Sequence, residues 1–378
     1  MTSHCLRSYA GCVRSSAIAA LAILGTTWSP SGSATALHAS DQSAPTPLVA
    51  LAPGFRLEGP FTHANLAVYV VRGSTSDARE YITLDEGFTA RTVAVREKGT
   101  RAGQDQAEVN TLEIENRSDK WLFLQAGDIV KGGKQDRTIM TDLTLAPRSG
   151  PQPIEAFCVE HGRWTPSGDG LAFRNNPGIV AGAPLRIAIQ GEKSQPRVWQ
   201  EVANAEQRAV KAARAGGAPL AADASLSRTG TYNAIAEHKT LNANRDAYVT
   251  ALLPYVRKHT DAIGMAIAIN GNVTSADVYA SAALFQRLSE KLLNSYALEG
   301  VLAKNASPQV TAPPTKQQVI ALLSKPAAGR AATETIGKSM QRSTRETDEA
   351  VVYQYGHLNQ PASTRDSLVV VHQNYLKK

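Results

Sequence analysis

The spacing of apolar residues changes once along this chain, near Pro196, and this change limits the folds open to it. From about Phe55 to Ile189, apolar residues come in short runs broken by Gly, Asn, Asp and Pro, which is typical of strands joined by turns. After Pro196, a stretch rich in Ala, Glu, Lys and Arg runs to Gly216-Gly217 and predicts a helix with a clear end. The sequence therefore predicts an α+β protein with a β-rich N-terminal half that forms a sandwich-like antiparallel sheet.

Six segments of this N-terminal half carry the clearest strand patterns. In the segment 137–145, Ile139, Leu143 and Leu145 alternate with a largely polar face, so we expect one side of that strand to be buried and the other exposed. The six predicted strands are 66–72, 91–97, 109–115, 121–125, 137–145 and 154–160.

The second half predicts helices packed on a β-hairpin, followed by closing strands. A helix is expected at 231–258, with a kink or interruption at Pro254. Period-two segments at 262–269 and 273–279 flank Asn270-Gly271, a strong hairpin signal. Apolar residues every four positions, from Leu284 to Tyr296, then predict a helix packed against that hairpin. A short helix to Leu323 and strands at 351–355 and 368–372 complete the prediction.

The first residues have the three parts of a cleavable export signal. Arg7 and Arg14 precede an apolar run at 17–24 that is too short to span a bilayer, and Ala34-Thr35-Ala36 offers a peptidase site. We expect a periplasmic or secreted protein without a stable membrane anchor after cleavage. The predicted organisation is a signal peptide at 1–36, a flexible leader at 37–53, a β-rich half at 54–195, an α/β half at 196–303, a linker and short helix at 304–346, and C-terminal strands at 347–378.

Charge and cysteine content exclude several classes of function. Loss of Arg7 and Arg14 lowers the net charge from +7 to +5, a mild excess spread along the chain, and aromatic residues make up only 6%. We therefore expect no nucleic-acid partner. Cleavage also leaves Cys158 as the one cysteine, so no intramolecular disulfide is expected. No zinc-like ligand spacing is present, so no metal site is predicted, and the sequence leaves open whether a cofactor is used.

The segment 124–137 has the densest collection of groups that suit a binding site. Gly132 and Gly133 allow a sharp turn or a close approach to a ligand, and Lys134, Gln135 and Arg137 surround them with donors for an anion. The segment lacks the spacing of a phosphate-binding P-loop. A hairpin turn with solvated charges is the alternative explanation.

A second segment, 155–164, offers a cysteine, a carboxylate and a cation on one strand and its end. Cys158 and His161 lie three residues apart and should project to opposite faces of a strand, so Cys158 is expected to be a small buried hydrophobe rather than a nucleophile. Glu160 and Arg163 form either a structural salt bridge or, with Trp164, a site for a polar ligand.

These motifs resemble a bacterial family of unknown function, named for its association with ADP-ribosylglycohydrolase, rhodanese and phosphatase-superfamily domains. The resemblance is carried by Gly-Gly-Lys-Gln-Asp-Arg at 132–137 and Cys-Val-Glu-His-Gly-Arg-Trp at 158–164, and it extends from about Pro53 to Val301. It implies an α+β domain, often exported, with a proposed link to ADP-ribose or nucleotide metabolism. Asp128 stands where family members usually have glutamate.

Two functions remain open, and the sequence does not decide whether the chain is an enzyme. In the first, Lys134, Gln135, Arg137, Arg163 and Trp164 form a polar pocket for an anionic, phosphate- or nucleotide-like ligand or for an envelope protein. In the second, a hydrolase uses Asp128 or Glu160 as general base and an arginine to stabilise negative charge. A carboxylate buried in an ion pair, without access to solvent, would argue against catalysis. A cysteine enzyme built on Cys158 is a third, weaker alternative.

Overall fold

A computed structural model of the chain describes residues 54–101, 104–105, 110–163, 165, 172–218, 226, 230–304, 311–358 and 368–378. All of these residues belong to one unit, which spans residues 44–378. The predicted signal peptide, the predicted leader and Trp164 lie outside the described residues.

The first half of the chain is built from strands, as the short apolar runs predict. One helix, α1 (Leu84–Thr89), interrupts them, and Thr83 and Glu86 close its first turn with a reciprocal capping box. The strands are β1 (Arg56–His63), β2 (Leu66–Arg72), β3 (Tyr81–Thr83), β4 (Val93–Glu97), β5 (Thr100–Arg101), β6 (Gln104–Asp105), β7 (Thr111–Asn116), β8 (Trp121–Leu124), β9 (Asp128–Gly132), β10 (Arg137–Ile139), β11 (Leu143–Leu145), β12 (Ser149–Cys158) and β13 (Phe173–Val180).

The second half contains the remaining helices and the closing strands. The helices are α2 (Ala183–Ile187), which continues as a π-helix (Ala188–Glu192), α3 (Gln195–Ala215), α4 (Tyr232–Glu237), α5 (Lys239–Arg257), α6 (Ala282–Ala303) and α7 (Lys316–Ser324), followed by a 3-10 turn (Lys325–Ala328). The strands are β14 (Ala262–Ile269), β15 (Asn272–Tyr279), β16 (Arg330–Ile336), β17 (Met340–Glu346), β18 (Ala350–Leu358) and β19 (Leu368–Lys377).

The described strands form one large antiparallel sheet and three smaller sheets. The large sheet has the order β1-β2-β14-β15-β19-β18-β17-β16, so it joins the first strands of the chain to the last. The others have the orders β13-β9-β10-β12-β7-β4, β11-β8-β3 and β5-β6, and β3 with β8 is the parallel pair. The predicted α+β class, with antiparallel sheets first and helices and closing strands later, is confirmed.

Helices cover the large sheet on both faces. Leu66, Val68 and Val70 of β2 belong to the core that contains α6, whereas the alternate residues Ala67, Tyr69 and Val71 pack in the cluster that contains Val319 and Leu323 of α7. This explains why every residue of β14 is buried.

Three predicted elements differ from the structure. The segment 137–145 forms two strands, β10 and β11, rather than one. Both faces of the segment are largely buried, since Asp142 and Thr144 contact His372 and His357 in the interior. The helix expected at 231–258 breaks at His238, which has an extended backbone, and it continues through Pro254 to Arg257. The segment 304–346, assigned to a linker and short helix, also contains the β16–β17 hairpin, whose first strand is too exposed to show a period-two apolar pattern.

Candidate functional site

The structure brings the two motifs of the sequence analysis together. The Gly132-Gly133 turn lies at the end of β9, and Arg163 follows the end of β12. The Arg163 guanidinium donates to the carbonyl of Gly133 at 2.9 Å and to both carboxylate oxygens of Glu160 at 2.8 and 2.6 Å. The side chain of Arg163 is 26% exposed, but all of its nitrogens already donate to the protein.

Asp136 holds this turn to the helical half. One of its carboxylate oxygens accepts from the backbone N–H of Gly132 at 3.0 Å. The other accepts from the Thr231 hydroxyl at 2.9 Å and from the Asn233 amide at 2.6 Å, at the start of α4. The backbone N–H of Asp136 in turn donates to Glu160 at 3.0 Å. These contacts connect residues almost 100 positions apart in the chain.

Arg137 forms a fully buried ion pair with Glu97 of β4. Both side chains are 0% exposed, and their closest approach is 3.2 Å. Glu97 also accepts from the backbone N–H of Lys134 at 3.0 Å, and Arg137 donates to the carbonyl of Gln135 at 3.1 Å. Lys134 and Gln135 are themselves buried. The Arg137 guanidinium therefore faces a carboxylate inside the protein, and the Lys134 side chain is buried rather than open to solvent.

The two glycines of the turn are required by close packing. Gly132 and Gly133 have φ values of 128° and 52°, which side chains other than glycine rarely adopt. A Cβ on Gly133 would lie 2.4 Å from the ring of Phe173 and 2.7 Å from a carboxylate oxygen of Glu97. The glycines allow the turn to approach β13 and the Arg137–Glu97 pair closely. This packing explains the two glycines of the motif without a bound ligand.

Asp128, the other predicted base, belongs to a separate buried cluster. One of its carboxylate oxygens accepts from the backbone N–H of Gln125 at 2.9 Å, and the other lies 2.7 Å from the ammonium of Lys291, which also contacts Asp85 at 2.9 Å. Burial raises the pKa of Asp128 despite the attraction of Lys291. Asp128 and Glu160 are thus both buried in ion pairs, the arrangement that argues against catalysis at either carboxylate.

Cys158 is buried at the end of β12. Its backbone N–H donates to the side-chain oxygen of Gln195, and its carbonyl accepts from the side-chain nitrogen of Gln195, both at 2.8 Å. Burial raises the pKa of the Cys158 thiol. The neighbouring His161 packs edge-on against Trp199, with 4.8 Å between ring centroids. The thiol therefore has the environment of a small core residue, not of an activated nucleophile.

A fully buried charge cluster, which no sequence pattern indicated, joins β15, β19 and α2. Asp277 of β15 pairs with Arg186 of α2 at 2.8 Å and accepts from the His372 imidazole of β19 at 2.9 Å and from the Tyr296 hydroxyl. The other imidazole nitrogen of His372 lies 2.5 Å from Asp142. Burial opposes ionisation of Asp277, but Arg186 and His372 outweigh it and hold its pKa well below the usual range. Full burial makes this cluster a structural junction.

A cavity of about 490 Å³ opens beside this junction. It lies between α2, α3, α4, the turn of the β14–β15 hairpin, the C-terminal end of α6 and the end of β19. The surface of its walls is mostly apolar, although about half of the lining residues are charged or polar. The lining residues are Gly182, Ala183, Pro184, Leu185, Glu201, Ala205, Arg208, Tyr232, Ile269, Asn270, Asn272, Thr274, Glu299, Leu302, Ala303, Lys377 and Lys378.

Glu299 gives this cavity an ionisable group with a neutral-range pKa. Its carboxylate accepts from the backbone N–H of Ala183, while the neighbouring N–H of Gly182 donates to the Tyr232 hydroxyl at 3.2 Å. Burial raises the pKa of Glu299 to about 7, although the N–H of Ala183 and the charges of Arg186 and Arg208 oppose the rise. Perturbed carboxyl groups in clefts are frequent at functional sites.

Two cations in the cavity wall are available to a ligand. Arg208 and Lys377 are exposed, and neither forms an ion pair or side-chain hydrogen bond within the described residues. A neighbouring groove of about 890 Å³ shares Lys377 and Lys378 with the cavity. Its lysine Lys325, by contrast, is paired with Glu349 at 3.1 Å. The 490 Å³ cavity is therefore the stronger candidate site.

One sequence signal could have revealed this cavity. The apolar stripe that predicts α6 runs through Leu288, Leu292 and Tyr296, and Glu299 continues it at helical spacing. A carboxylate on the buried stripe of a helix is unusual and deserves a functional explanation. Arg208 and Lys377 carried no comparable signal, because they lie among other exposed cations.

Other site classes receive no support from the described part of the chain. It contains no cluster of three or more His, Cys, Asp or Glu side chains arranged to hold a metal ion. None of its helices is long and apolar enough to cross a bilayer.

Comparison with known proteins gives one match. Residues 54–373 match the ARG and Rhodanese-Phosphatase-superfamily-associated Protein domain, ARPP-1. This confirms the resemblance carried by the two motifs, and the match extends through the closing strands. No curated protein and no solved structure matches the chain.

Proposed function

We propose a binding function for this chain, which belongs to the ARG and Rhodanese-Phosphatase-superfamily-associated Protein family. The ligand is a small molecule with an apolar part and an anionic, phosphate- or nucleotide-like group, and it binds in the cavity beside Glu299. The observation that carries this proposal is the pair of exposed cations, Arg208 and Lys377, in the wall of a mostly apolar cavity of about 490 Å³. Pockets of about 300 to 1,000 Å³ with a few placed polar groups are typical of small-molecule sites.

The geometry favours this cavity over the turn at 132–137. Binding an anion requires cationic donors that are free to face it. Arg137 is fully buried against Glu97, and the nitrogens of Arg163 all donate to the protein. We therefore assign the turn a structural role and move the predicted anion site to the cavity.

A thermal-shift screen tests the proposal on the mature chain, residues 37–378. The compounds are nucleotides, ADP-ribose, inorganic phosphate and sugar phosphates. A ligand at about 100 times its dissociation constant adds about 2.7 kcal/mol, which raises the unfolding midpoint by roughly 5 to 10 °C. Arg208→Ala and Lys377→Ala should each reduce the shift. Arg257→Ala is the control, because Arg257 is exposed and does not line the cavity, and it should leave the shift unchanged.

Two results would contradict this proposal. A shift that survives Arg208→Ala combined with Lys377→Ala would mean that the ligand binds elsewhere. No shift with any of these compounds would favour a protein partner, such as an envelope protein, over a small anion.

A hydrolase is the second candidate, and the observation that favours it is that Glu299 and Arg208 line the same cavity. A carboxyl with a pKa of about 7 is partly ionised at neutral pH, as a general base must be. Arg208, in the same cavity, would stabilise negative charge that develops on a phosphate ester. Glu299→Gln should then abolish turnover of the bound compound while binding persists. Equal turnover by the variant and the wild type would exclude Glu299 as the base.

We also propose that the chain is exported, with cleavage after Ala36. This rests on Arg7 and Arg14, the apolar run at 17–24 and the small residues Ala34 and Ala36. N-terminal sequencing of the protein from the periplasm or medium should begin at Leu37. An uncleaved protein in the cytoplasm would contradict export.

A further inference from the structure

The outer edge of β16 is a regular strand edge with no strand beside it in the part of the chain that the structure describes. On its inner side, β16 pairs with β17 over all seven residues without a register shift. Its first four residues, 330–333, are exposed, and the strand contains no proline, glycine or lysine. A straight edge without such interruptions readily pairs with another strand.

The opposite edge of the same sheet lacks these properties. It is formed by β1, which contains Pro60 and shifts its register between Glu58 and Phe61. Proline has no backbone N–H, and an irregular register disturbs pairing with a further strand. Of the two edges of the large sheet, β16 is therefore the one suited to strand addition.

The charges of β16 indicate which strand fits this edge. In the β16–β17 pair, Arg330 lies opposite Glu346 and Glu334 lies opposite Arg342, with ion-pair distances of 2.8 and 3.0 Å. Both strands carry the pattern Arg-x-x-x-Glu, and antiparallel pairing places the arginine of each opposite the glutamate of the other. A second β16 presents the same pattern as β17, so it is complementary to the free edge in the same way.

We propose that two copies of this chain associate by antiparallel pairing of their β16 strands, with the twofold axis at Ala332. Arg330 of each copy then lies opposite the partner's Glu334 and adds a third cation to a carboxylate that already pairs with Lys193 at 2.8 Å and Arg342 at 3.0 Å. Charges of opposite sign then alternate across the four strands of the two copies. Within each copy, Glu346 of β17 lies opposite Arg330, and Arg342 of β17 lies opposite Glu334. Small side chains, Ala331 to Thr333, occupy the centre and offer little steric resistance.

This arrangement also limits the assembly to two copies. A pairing in which the same strand meets itself about a twofold axis consumes both free edges and closes. A parallel arrangement would place Arg330 opposite Arg330 and Glu334 opposite Glu334, and like charges directly opposite each other destabilise a strand pair. The proposal is independent of the ligand cavity, because no residue of β16 lines it.

Sedimentation equilibrium of the full mature chain, with and without a charge change at the edge, tests this interface. The wild type should be a dimer that dissociates on dilution and does not form larger species. Arg330→Glu places like charges opposite each other twice and should weaken the dimer by about tenfold or more. Arg330 is 83% exposed, so the fold should tolerate the change. Arg257→Glu alters the net charge equally at another exposed position and should leave the dimer intact.

Mixing complementary variants separates this interface from a general effect of charge. Arg330→Glu makes the edge acidic and Glu334→Lys makes it basic, so each variant alone should be monomeric and a mixture should form a 1:1 heterodimer. Unfolding midpoints near that of the wild type establish that both variants are folded. A monomeric wild type, a dimer insensitive to Arg330→Glu, equal dissociation by Arg257→Glu, or folded variants that fail to combine would each overturn the proposal.

Discussion

Replacing His372 by asparagine should change how the stability of the protein depends on pH. The imidazole of His372 lies between two carboxylates, 2.5 Å from Asp142 and 2.9 Å from Asp277, and it is fully buried. Burial alone lowers the pKa of His372, but the two carboxylates outweigh burial and raise the pKa to about 8. The charged imidazolium is therefore the form that the folded protein prefers at neutral pH.

The size of the effect follows from this pKa. An unfolded histidine has a pKa of about 6.5, and each unit of difference is worth about 1.4 kcal/mol, so protonation of His372 stabilises the fold by about 2 kcal/mol. Because the folded pKa is the higher one, the stabilisation is complete below about pH 6.5. It is lost as the pH rises through about 8.

Urea denaturation of the wild type and of His372→Asn measures this contribution at about pH 6 and about pH 9. Glu206 and Glu299, whose pKa values burial raises to about 7, also titrate in this range, but they are common to both proteins and cancel in the difference. The free-energy advantage of the wild type over the variant should shrink by about 2 kcal/mol between the two pH values. A constant or growing advantage would refute the assignment of a charged His372.

Three further predictions concern the turn at 132–137 and its surroundings. Gly133→Ala should destabilise the fold by about 1 to 3 kcal/mol in urea denaturation, because the added Cβ has no space and the φ of this residue is positive. Gly150→Ala is the control and should be nearly neutral, because nothing lies near the added Cβ. Equal effects of the two changes would contradict the packing argument. Arg137→Met should cost about 3 to 5 kcal/mol because it removes the guanidinium that pairs with the buried Glu97 carboxylate, and adding Glu97→Met should recover part of the loss; no recovery would exclude an ion-pair origin. Cys158 should resist alkylation by iodoacetamide until the protein unfolds, and rapid labelling of the native protein, followed by mass spectrometry, would contradict its burial.

The elements that the sequence predicted well are those with local signals. The hairpin at Asn270-Gly271 depends on a two-residue turn between alternating apolar residues, and both of its strands are present as β14 and β15. The end of α3 at Gly216 was equally local. The order of strands in the sheet was not predictable in this way, because β2 pairs with β14, almost 200 residues later in the chain. Neither segment contains a signal that identifies the other as its partner.

Two strand segments were missed or wrongly predicted, because their apolar pattern does not match their burial. β16 is exposed on both faces at its start, so its residues show no alternation of apolar and polar side chains. The segment 137–145 does alternate, but Asp142 and Thr144 are buried because they contact polar groups of the interior, including His372 and His357. A polar residue on a strand is expected at the surface unless its buried partner, far away in the chain, is known.

The candidate site also contains features that local sequence indicated and features that depend on residues distant in the chain. The two motifs are indeed neighbours, and the local Glu160–Arg163 pair was one of the two alternatives that the sequence left open. The partner of Arg137 could not be identified in this way, because Glu97 lies on β4, 40 residues earlier in the chain. The cavity could not be predicted, because its walls come from four helices and three strands that are distant in the chain, and Glu299 was its one visible sign.

A crystal structure of the mature chain soaked with ADP or ADP-ribose tests the proposed binding function most directly. We expect density for a phosphate group in the cavity, within about 3 Å of the Arg208 guanidinium and on the side of the cavity where Lys377 lies. Density beside Arg163 at the Gly132-Gly133 turn would return the anion site to the motifs of the sequence analysis. An empty cavity at saturating concentrations of both compounds would contradict the proposed ligand class.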